Sequence, residues 1–467
     1  MKKSLSLILI CYTAIAALTI VFLDGTGDAG DSVLHFLFAK YAPVHPELFF
    51  DMWGKPVFVL LAFPFAHFGF TGIKVFNALT SLLTITLTFK SAEAMPIKNP
   101  SVGALLMIFT PLYYILTFSG LTEPLFALFV AAGLFLAVKH KYAAAAIIIS
   151  FLPFVRSEGL VMIGVFSFYF LFIKQWKIAP FLLFGSVLYS MAGYFVHHDI
   201  LWVFTRIPYA SMNSPYGSGD LLHFARQMFY VVGFPVYFLF LVGFSGLIIS
   251  AFRSRIRAEL HLLVLLGFSC FFVAHTLFWY FGIFNSMGLK RVLIGVIPLI
   301  AIVALHGYNL LTEDVFSGRS RKFRIILKSV ILGAVVIFPF TAGPAAINRK
   351  RDMMLAKDQQ VALATARIVN TTALAGYRLV CGHPFICEAL DVDWFDKSRR
   401  VDLTRINLAG RKPADIIIWD NWFAVVGSDL HKQDLDATAG LKCLFDTTAL
   451  DHGHEIHFAV YGDSGCH

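Results

Sequence analysis

Acidic and basic side chains lie close together in residues 27–58, directly after the first long apolar run. Asp28 and Asp31 can accept a proton, and Lys55 can neutralise an anion such as a phosphate. His35 lies four residues after Asp31, so on a helix these two side chains share one face and can orient each other or bind a metal ion. The segment therefore carries the residues for proton transfer beside a bound anion.

Further ionisable residues lie at the ends of later apolar runs. A charge at the centre of a bilayer costs at least ~2.5–3.5 kcal/mol, so these side chains are expected near a membrane surface. A Gly-, Ser- and Pro-rich loop at 197–226 is predicted to be either a lid over the site or a plain connector. The additional candidates for contacts with a substrate or its phosphate are Lys74, Glu123, Arg156, Glu158, Tyr216, Lys290 and Arg291.

Ordinary structural roles are the alternative for each candidate. Asp28 and Asp31 can solvate the loop and cap a helix predicted at 31–42. Lys55 and Arg291 can be interfacial anchors, and Glu123 can be an acid in a first helical turn. Arg156 and Glu158 can form a structural ion pair with each other. Sequence alone leaves both interpretations open.

The composition indicates what kind of elements position these residues. Hydrophobic residues make up 58% of the 467-residue chain and charged residues only 14%, with a mean hydropathy of +0.73. Soluble proteins carry roughly 25% charged residues, so this composition predicts an α-helical polytopic membrane protein. The net charge of +9 need not imply nucleic acid, because Lys and Arg also concentrate in cytoplasmic loops.

About eleven apolar runs are predicted to be membrane helices. With a cytoplasmic N-terminus, fifteen Lys and Arg residues fall in the inner loops and seven in the short outer loops, which supports this orientation. The first run could also be a signal peptide, but its length favours a span. The predicted spans are 4–23, 71–89, 101–118, 121–138, 142–155, 159–173, 178–196, 227–250, 260–281, 290–311 and 325–342.

Two shorter apolar segments follow the first span. Residues 31–42 have apolar side chains at helical spacing, and residues 56–69 are apolar but too short to cross a bilayer. Both are predicted to be helices that lie on the outer membrane surface. The candidate acids and Lys55 belong to the same outer segment.

The chain becomes more polar after residue 343. A helix is predicted at 353–375, and the strands are predicted at 377–381, 415–419, 442–446 and 455–461. We therefore expect two domains, a transmembrane domain at 1–343 and a small α/β domain at 344–467 on the outer side. Disulfides among Cys381, Cys387, Cys443 and Cys466 are one expectation for this domain, and a Cys/His metal site is the rival.

The order of these motifs resembles the GT-C superfamily of glycosyltransferases that use lipid-linked sugars. It is most similar to bacterial relatives of the protein O-mannosyltransferases and of the aminoarabinose transferases that modify lipid A. The family usually has an acidic pair where this chain has Gly30-Asp31, and often a Tyr in place of His35. The resemblance covers residues 1 to about 340, with the matching segments Gly30 to Ala39, Gly54-Lys55-Pro56, Gly72 to Leu79 and Leu121 to Phe126.

The resemblance implies transfer of a sugar from a polyprenyl-phosphate donor, such as an undecaprenyl one, to a hydroxyl on an acceptor glycan, lipid or protein. The reaction would occur at the outer, periplasmic face of a bacterial inner membrane, with no nucleic acid involved. A single displacement would invert the anomeric carbon. A lipid or polysaccharide transporter with an outer binding domain is the alternative from another class of protein.

The residues divide among four expected roles. Asp31 or Asp28 would be the general base. A divalent metal ion (Mg, Mn or Zn) on Asp31 and His35 is an open alternative to purely protein-based charge stabilisation. Donor phosphate would bind Lys55, Arg156, Lys290 and Arg291, and other substrate groups would contact Glu123, Glu158, His35, Lys74 and Tyr216.

Overall fold

The computed structural model describes residues 2–208, 210, 214, 216–253, 256–371, 377–451 and 453–463. A helical portion precedes a small portion that contains a five-stranded sheet. The helices of the first portion are α1 Lys2–Phe22, α2 Asp31–Tyr41, α3 Pro56–Ala66, α4 Gly69–Ala94, α5 Pro100–Ile108, α6 Pro111–Thr117, α7 Glu123–Val138, α8 Tyr142–Ser150, α9 Gly159–Phe172, α10 Phe184–His197, α11 Trp202–Thr205, α12 His223–Val232, α13 Phe234–Phe252, α14 Gly267–Phe281, α15 Ile297–Asn309 and α16 Arg321–Ile337.

Seven helices within the described ranges are long and apolar enough to cross a membrane. Several of them include 3₁₀ or π turns that extend the α-helices given above, because the spacing of the backbone hydrogen bonds changes along one continuous helix. The seven are Ser4–Phe22, Gly69–Ala94, Trp176–His197, Phe234–Phe252, Glu259–Phe281, Lys290–Val315 and Arg321–Phe340. The chain thus has the helices of a multipass membrane protein.

The number of eleven full-length spans is corrected by the structure. The run at 101–118 is two helices bent by 68°, at a break followed by Pro111, whose missing N–H and fixed ring disrupt a continuous helix. The runs at 121–138, 142–155 and 159–173 form apolar helices of only 10–17 residues. Apolar composition identified all these helices, but it did not show where prolines and turns shorten them.

The helix at 31–42 is present as α2, but it is not an exposed surface helix. Val33, Phe36 and Leu37 are fully buried. The C-terminal portion of the chain covers α2, where Lys40 Nζ lies 2.8 Å from Glu388 Oε2. An amphipathic pattern is compatible both with packing between two layers of protein and with a membrane surface. In this structure α2 packs between two layers of protein.

The C-terminal portion contains a mixed sheet. The strands are β1 Arg378–Cys381, β2 Arg400–Val401, β3 Asp415–Asp420, β4 Leu441–Asp451 and β5 His454–Asp463, and the helices are α17 Arg349–Asp352, α18 Lys357–Thr371, α19 Pro384–Ala389, α20 Arg405–Ala409, α21 Phe423–Ser428 and α22 Lys432–Asp436. The strand order is β2-β1-β3-β5-β4, in which β1 pairs in parallel with β2 and β3, while β5 pairs antiparallel to β3 and β4.

All four predicted strands form, and the short strand β2 is an addition. The predicted helix at 353–375 is confirmed as α18, which begins later than predicted, and residues 372–375 lie outside the described residues. Among the described cysteines no disulfide forms, and the sulfurs of Cys381 and Cys387 lie 3.4 Å apart as free thiols. Cys466 lies outside the described residues.

Candidate active site

Arg291 joins the two aspartates that follow the first span. It lies at the start of the helical run Lys290–Val315. Its Nη1 is 2.6 Å from Asp28 Oδ2, and its Nη2 contacts Asp31 Oδ2. Its Nε is 3.3 Å from Oε1 of Glu123. One guanidinium group therefore holds carboxylates from two different parts of the chain.

Arg156 extends this arrangement from the other side of Glu123. Its Nη1 lies 2.9 Å from Glu123 Oε1, and its Nε lies 2.7 Å from Glu158 Oε1. Glu123 is completely buried between the two arginines. Asp31 and Glu123 are the first residues of α2 and α7, where the helix dipole favours negative charge. Four carboxylates and two guanidinium groups thus form a single charge network.

The network shifts the pKa values of Asp28, Asp31 and Glu158 in different directions. Burial acts to raise the pKa of Asp31, but the nearby charge of Arg291 more than compensates, so this pKa falls below its usual value. The pKa of Asp28 is raised, because burial outweighs its pairing with Arg291. At Glu158 burial also acts to raise the pKa, but the charge of Arg156 outweighs this effect and the pKa falls to about 2. Asp31 is therefore ionised at neutral pH.

Lys55 lies in the loop between α2 and α3 with a left-handed backbone, φ +66°. Its side chain is 6% exposed, and its Nζ donates to the Met52 carbonyl at 3.1 Å. Burial lowers the pKa of Lys55 to about 8, although the negative charge of Glu158 acts to raise it. A buried ammonium group with so low a pKa is suited to binding an anion that enters from outside.

A cavity of about 470 Å³ brings most of the candidate residues together. Its remaining walls are largely apolar and include Trp53, Phe224, Phe278 and Phe284. The candidates that line it are Asp31, His35, Lys55, Arg156, Glu158, Tyr216 and Arg291. This size and mixture of walls are typical of sites for small-molecule head groups.

A second cavity of about 290 Å³ lies on the other side of Arg291. Asp28, Lys290 and Arg351 line it together with apolar side chains of α6. The Nζ of Lys290 lies 5.6 Å from the centre of the Tyr230 ring. Asp28 and Lys290 are therefore separated from the larger cavity, although both are neighbours of Arg291.

Lys74 lines neither of the two cavities. Its Nζ donates to the carbonyl oxygen of Leu23 at 2.8 Å, at the end of α1. The side chain therefore secures the end of α1 rather than a ligand. Part of the expected lid at 197–226 can be placed, since Tyr216 lines the larger cavity, while residues 209, 211–213 and 215 lie outside the described residues.

Sequence reasoning missed four polar residues that line the larger cavity, namely Ser157, His275, Asn285 and Ser286. His275 lies within α14, and a histidine inside an apolar span was the one available signal. Ser157 and Asn285 lie in loops with no distinguishing pattern. Arg351 in the second cavity was missed because it follows the last span by sequence.

The donor set does not fit a resident metal ion. Asp31 is paired with Arg291, and the ring of His35 packs against Trp53 with 5.0 Å between centroids. No group of three or more His, Cys, Asp or Glu side chains that could hold a metal occurs in the described ranges. We therefore assign no chemical step to a metal on Asp31 and His35.

The C-terminal portion contacts the loop between α1 and α2, which carries Asp28. Gln359 Nε2 donates to Thr26 Oγ1 at 2.7 Å, and Gly25 N donates to the Met353 carbonyl at 2.9 Å. Gly30 lies against the ring of Phe423. The position of Asp31 therefore depends on both portions of the chain.

Membrane helices, two short helices after the first span and a covering α/β portion together make up the architecture of this chain. The chain is similar to the solved structure of ArnT from Cupriavidus metallidurans bound to undecaprenyl phosphate, with a TM-score of 0.63, 11% identity, and coverage of 96% of this chain and 97% of ArnT. For ArnT in the apo state the TM-score is 0.65 and the identity 12%, with the same coverage. No family model and no curated protein matches the sequence. At this identity the likeness concerns the fold.

Proposed function

We propose that the chain is a membrane glycosyltransferase that moves a sugar from a polyprenyl-phosphate donor to an acceptor hydroxyl. The observation that supports this most is the larger cavity, in which ionised Asp31 and buried Lys55 share one space. A structure of the same fold, that of ArnT, holds undecaprenyl phosphate, which is an anionic polyprenyl lipid. A carboxylate and an ammonium group are the two charges that such a transfer needs.

The proposed reaction is a single displacement. Asp31 accepts the proton of the acceptor hydroxyl while the hydroxyl oxygen bonds to the anomeric carbon of the sugar. The bond from that carbon to the phosphate oxygen breaks, and polyprenyl phosphate leaves with the electron pair. Lys55 stabilises the negative charge of the leaving phosphate, and Arg156 and Arg291 hold the carboxylates in place. Attack from the opposite face inverts the anomeric carbon.

Asp31 is favoured over Asp28 as the base by its surroundings. The side chain of Asp31 is 46% exposed and lines the larger cavity. Asp28 Oδ1 accepts the backbone N–H of Ser32 at 2.8 Å, so Asp28 stabilises the first turn of α2. We therefore propose for Asp28 the structural role that sequence alone left open for both acids.

We place the reaction on the outer, periplasmic face of a bacterial inner membrane, with the N-terminus in the cytoplasm. The excess of Lys and Arg in the predicted inner loops supports this orientation. The covering α/β portion would then be periplasmic, on the same side as Asp31. The acceptor would be a glycan, a lipid or a protein with a free hydroxyl.

Reconstitution would test this function against lipid transport. Purified protein in liposomes that contain polyprenyl-phosphate sugars and envelope extract should release free polyprenyl phosphate, measured by mass spectrometry. Movement of the intact donor across the bilayer, without release, would instead identify a transporter. Asp31→Asn protein is the control for contaminating transferases.

A further inference from the structure

Besides Arg291, whose Nε faces Glu123, four residues that line the larger cavity each have one buried polar side-chain atom with no hydrogen-bond partner within the described structure. These atoms are His35 Nδ1, Ser157 Oγ, His275 Nε2 and Asn285 Oδ1. Buried polar atoms are nearly always hydrogen-bonded, so four such atoms around one space require an explanation. Their common position at the cavity indicates that a polar ligand completes their hydrogen bonds.

His275 is the most constrained of the four. It is 7% exposed and lies on α14, among the rings of Phe224, Phe271 and Phe278. The Phe271 ring centre is 4.6 Å from that of His275. This packing fixes the imidazole, so its free nitrogen is pre-organised for a ligand rather than for solvent.

The chemistry of these atoms favours hydroxyl groups over a phosphate. The Asn285 Oδ1 atom can only accept a hydrogen bond, and phosphate oxygens are acceptors as well. A hydroxyl group both donates and accepts, so it can satisfy Asn285, Ser157 and either imidazole nitrogen. The aromatic walls, including Trp53 and Phe284, suit the apolar faces of a ring that carries such hydroxyls.

We propose that Ser157, His275 and Asn285, with His35, bind the hydroxyl groups of the donor's sugar ring, which is an inference that rests on the proposed function. The sugar is covalently joined to the phosphate, so a cavity that holds the phosphate at Lys55 also holds the sugar. The volume of about 470 Å³ accommodates both. These residues would therefore select the sugar, whereas Lys55 would recognise the phosphate of any polyprenyl donor.

Binding measurements on the purified full-length protein test this assignment without any transfer reaction. The probes are undecaprenyl phosphate and its conjugates with glucose, mannose, galactose and xylose. We expect at least one conjugate to bind about tenfold more tightly than undecaprenyl phosphate, because only the conjugate satisfies the free polar atoms. His275→Phe should reduce this ratio to about threefold or less and leave the affinity for undecaprenyl phosphate unchanged.

Ser157→Ala is a second variant that removes one hydroxyl with little change in volume, and it should also reduce the ratio. Ser269→Ala is the matched control, since Ser269 lies on α14 with its Oγ already bonded to the Leu265 carbonyl. The assignment is wrong if no conjugate binds more tightly than undecaprenyl phosphate, or if both cavity variants retain the parental ratio. A protein that shows the ratio but transfers no sugar would overturn the proposed function alone.

Discussion

Asp28 and Asp31 contact the same guanidinium group, yet their surroundings give them different roles. Asp31→Asn keeps the shape of the side chain and removes its basicity, so turnover should fall roughly 10²–10⁴-fold. Asp28→Asn should mainly weaken the start of α2, with a smaller effect on turnover, because Asp28 bonds Ser32 and lines the other cavity. Steady-state kinetics of both variants would measure this difference.

The reverse result would reassign the base. If Asp28→Asn abolishes turnover while Asp31→Asn is nearly silent, Asp28 is the base. Should both variants work at the parental rate, neither acid is catalytic. Thermal unfolding of each variant serves as the control for folding.

Lys55 should make the use of the donor depend on pH. Its pKa of about 8 means that the side chain is charged below that pH and neutral above it. The value of kcat/KM for the donor should therefore fall as pH rises through about 8, since kcat/KM reports ionisation of the free enzyme.

Lys55→Arg is the matched variant, because a guanidinium group keeps its charge throughout this range. Its kcat/KM should show no decline between pH of about 7 and about 9.5. A wild-type profile that stays flat over this interval, or an identical decline in Lys55→Arg, would show that Lys55 does not hold the phosphate.

At the level of residues, the sequence pointed to charged side chains that line one cavity, but it did not show how they pair. Asp31 and Lys55 were found from a local motif, because they lie close together in the chain. The contact of Arg291 with Asp31 spans 260 positions, so only the packing of several helices brings the two together. The bridging position of Glu123 was hidden for the same reason.

At the level of elements, Gly120 sets how closely the turn before α7 approaches α2. Its N donates to Ser32 Oγ at 2.6 Å, and an added Cβ would lie 2.1 Å from the Ser32 carbonyl oxygen. Gly120→Ala must therefore push the start of α2, and Asp31 with it, away from Glu123. We expect a loss of about 1–3 kcal/mol in unfolding free energy and a marked loss of turnover.

Gly164→Ala is the control for this substitution. Gly164 lies inside α9, and nothing would lie within 4 Å of its added Cβ. Alanine is the better helix former, so this variant should be as stable as the parent or slightly more so. Equal stability of Gly120→Ala and the parent in a denaturation experiment would contradict the proposed contact.

Element types were predictable because apolar composition and strand patterns are local properties. Element lengths were less predictable, as the bend before Pro111 and the three shortened helices show. The burial of α2 could not be read from its amphipathic pattern, because the covering portion lies more than 300 residues away along the chain. Strand β2, with only two residues, carries too little pattern to be seen.

At the level of the whole molecule, the orientation in the membrane can be tested with single cysteines. Ile406 is 83% exposed on the C-terminal portion, and Lys322 is exposed at the start of α16. In intact spheroplasts a membrane-impermeant maleimide should label Ile406→Cys, whereas Lys322→Cys should react only after permeabilisation. The parent chain gives the background of the native cysteines. The opposite pattern would invert the topology and place the Asp31 cavity on the cytoplasmic side.

The central claim is that the Asp31 cavity transfers a sugar to a component of the cell envelope. Its most direct test is mass spectrometry of envelope glycans, glycolipids and glycoproteins from cells that lack the gene, complemented with the parent chain or with Asp31→Asn. We predict that a species heavier by one sugar residue disappears without the gene, returns with the parent chain, and does not return with Asp31→Asn at equal expression. An unchanged profile under several growth conditions, or full restoration by Asp31→Asn, would contradict this account.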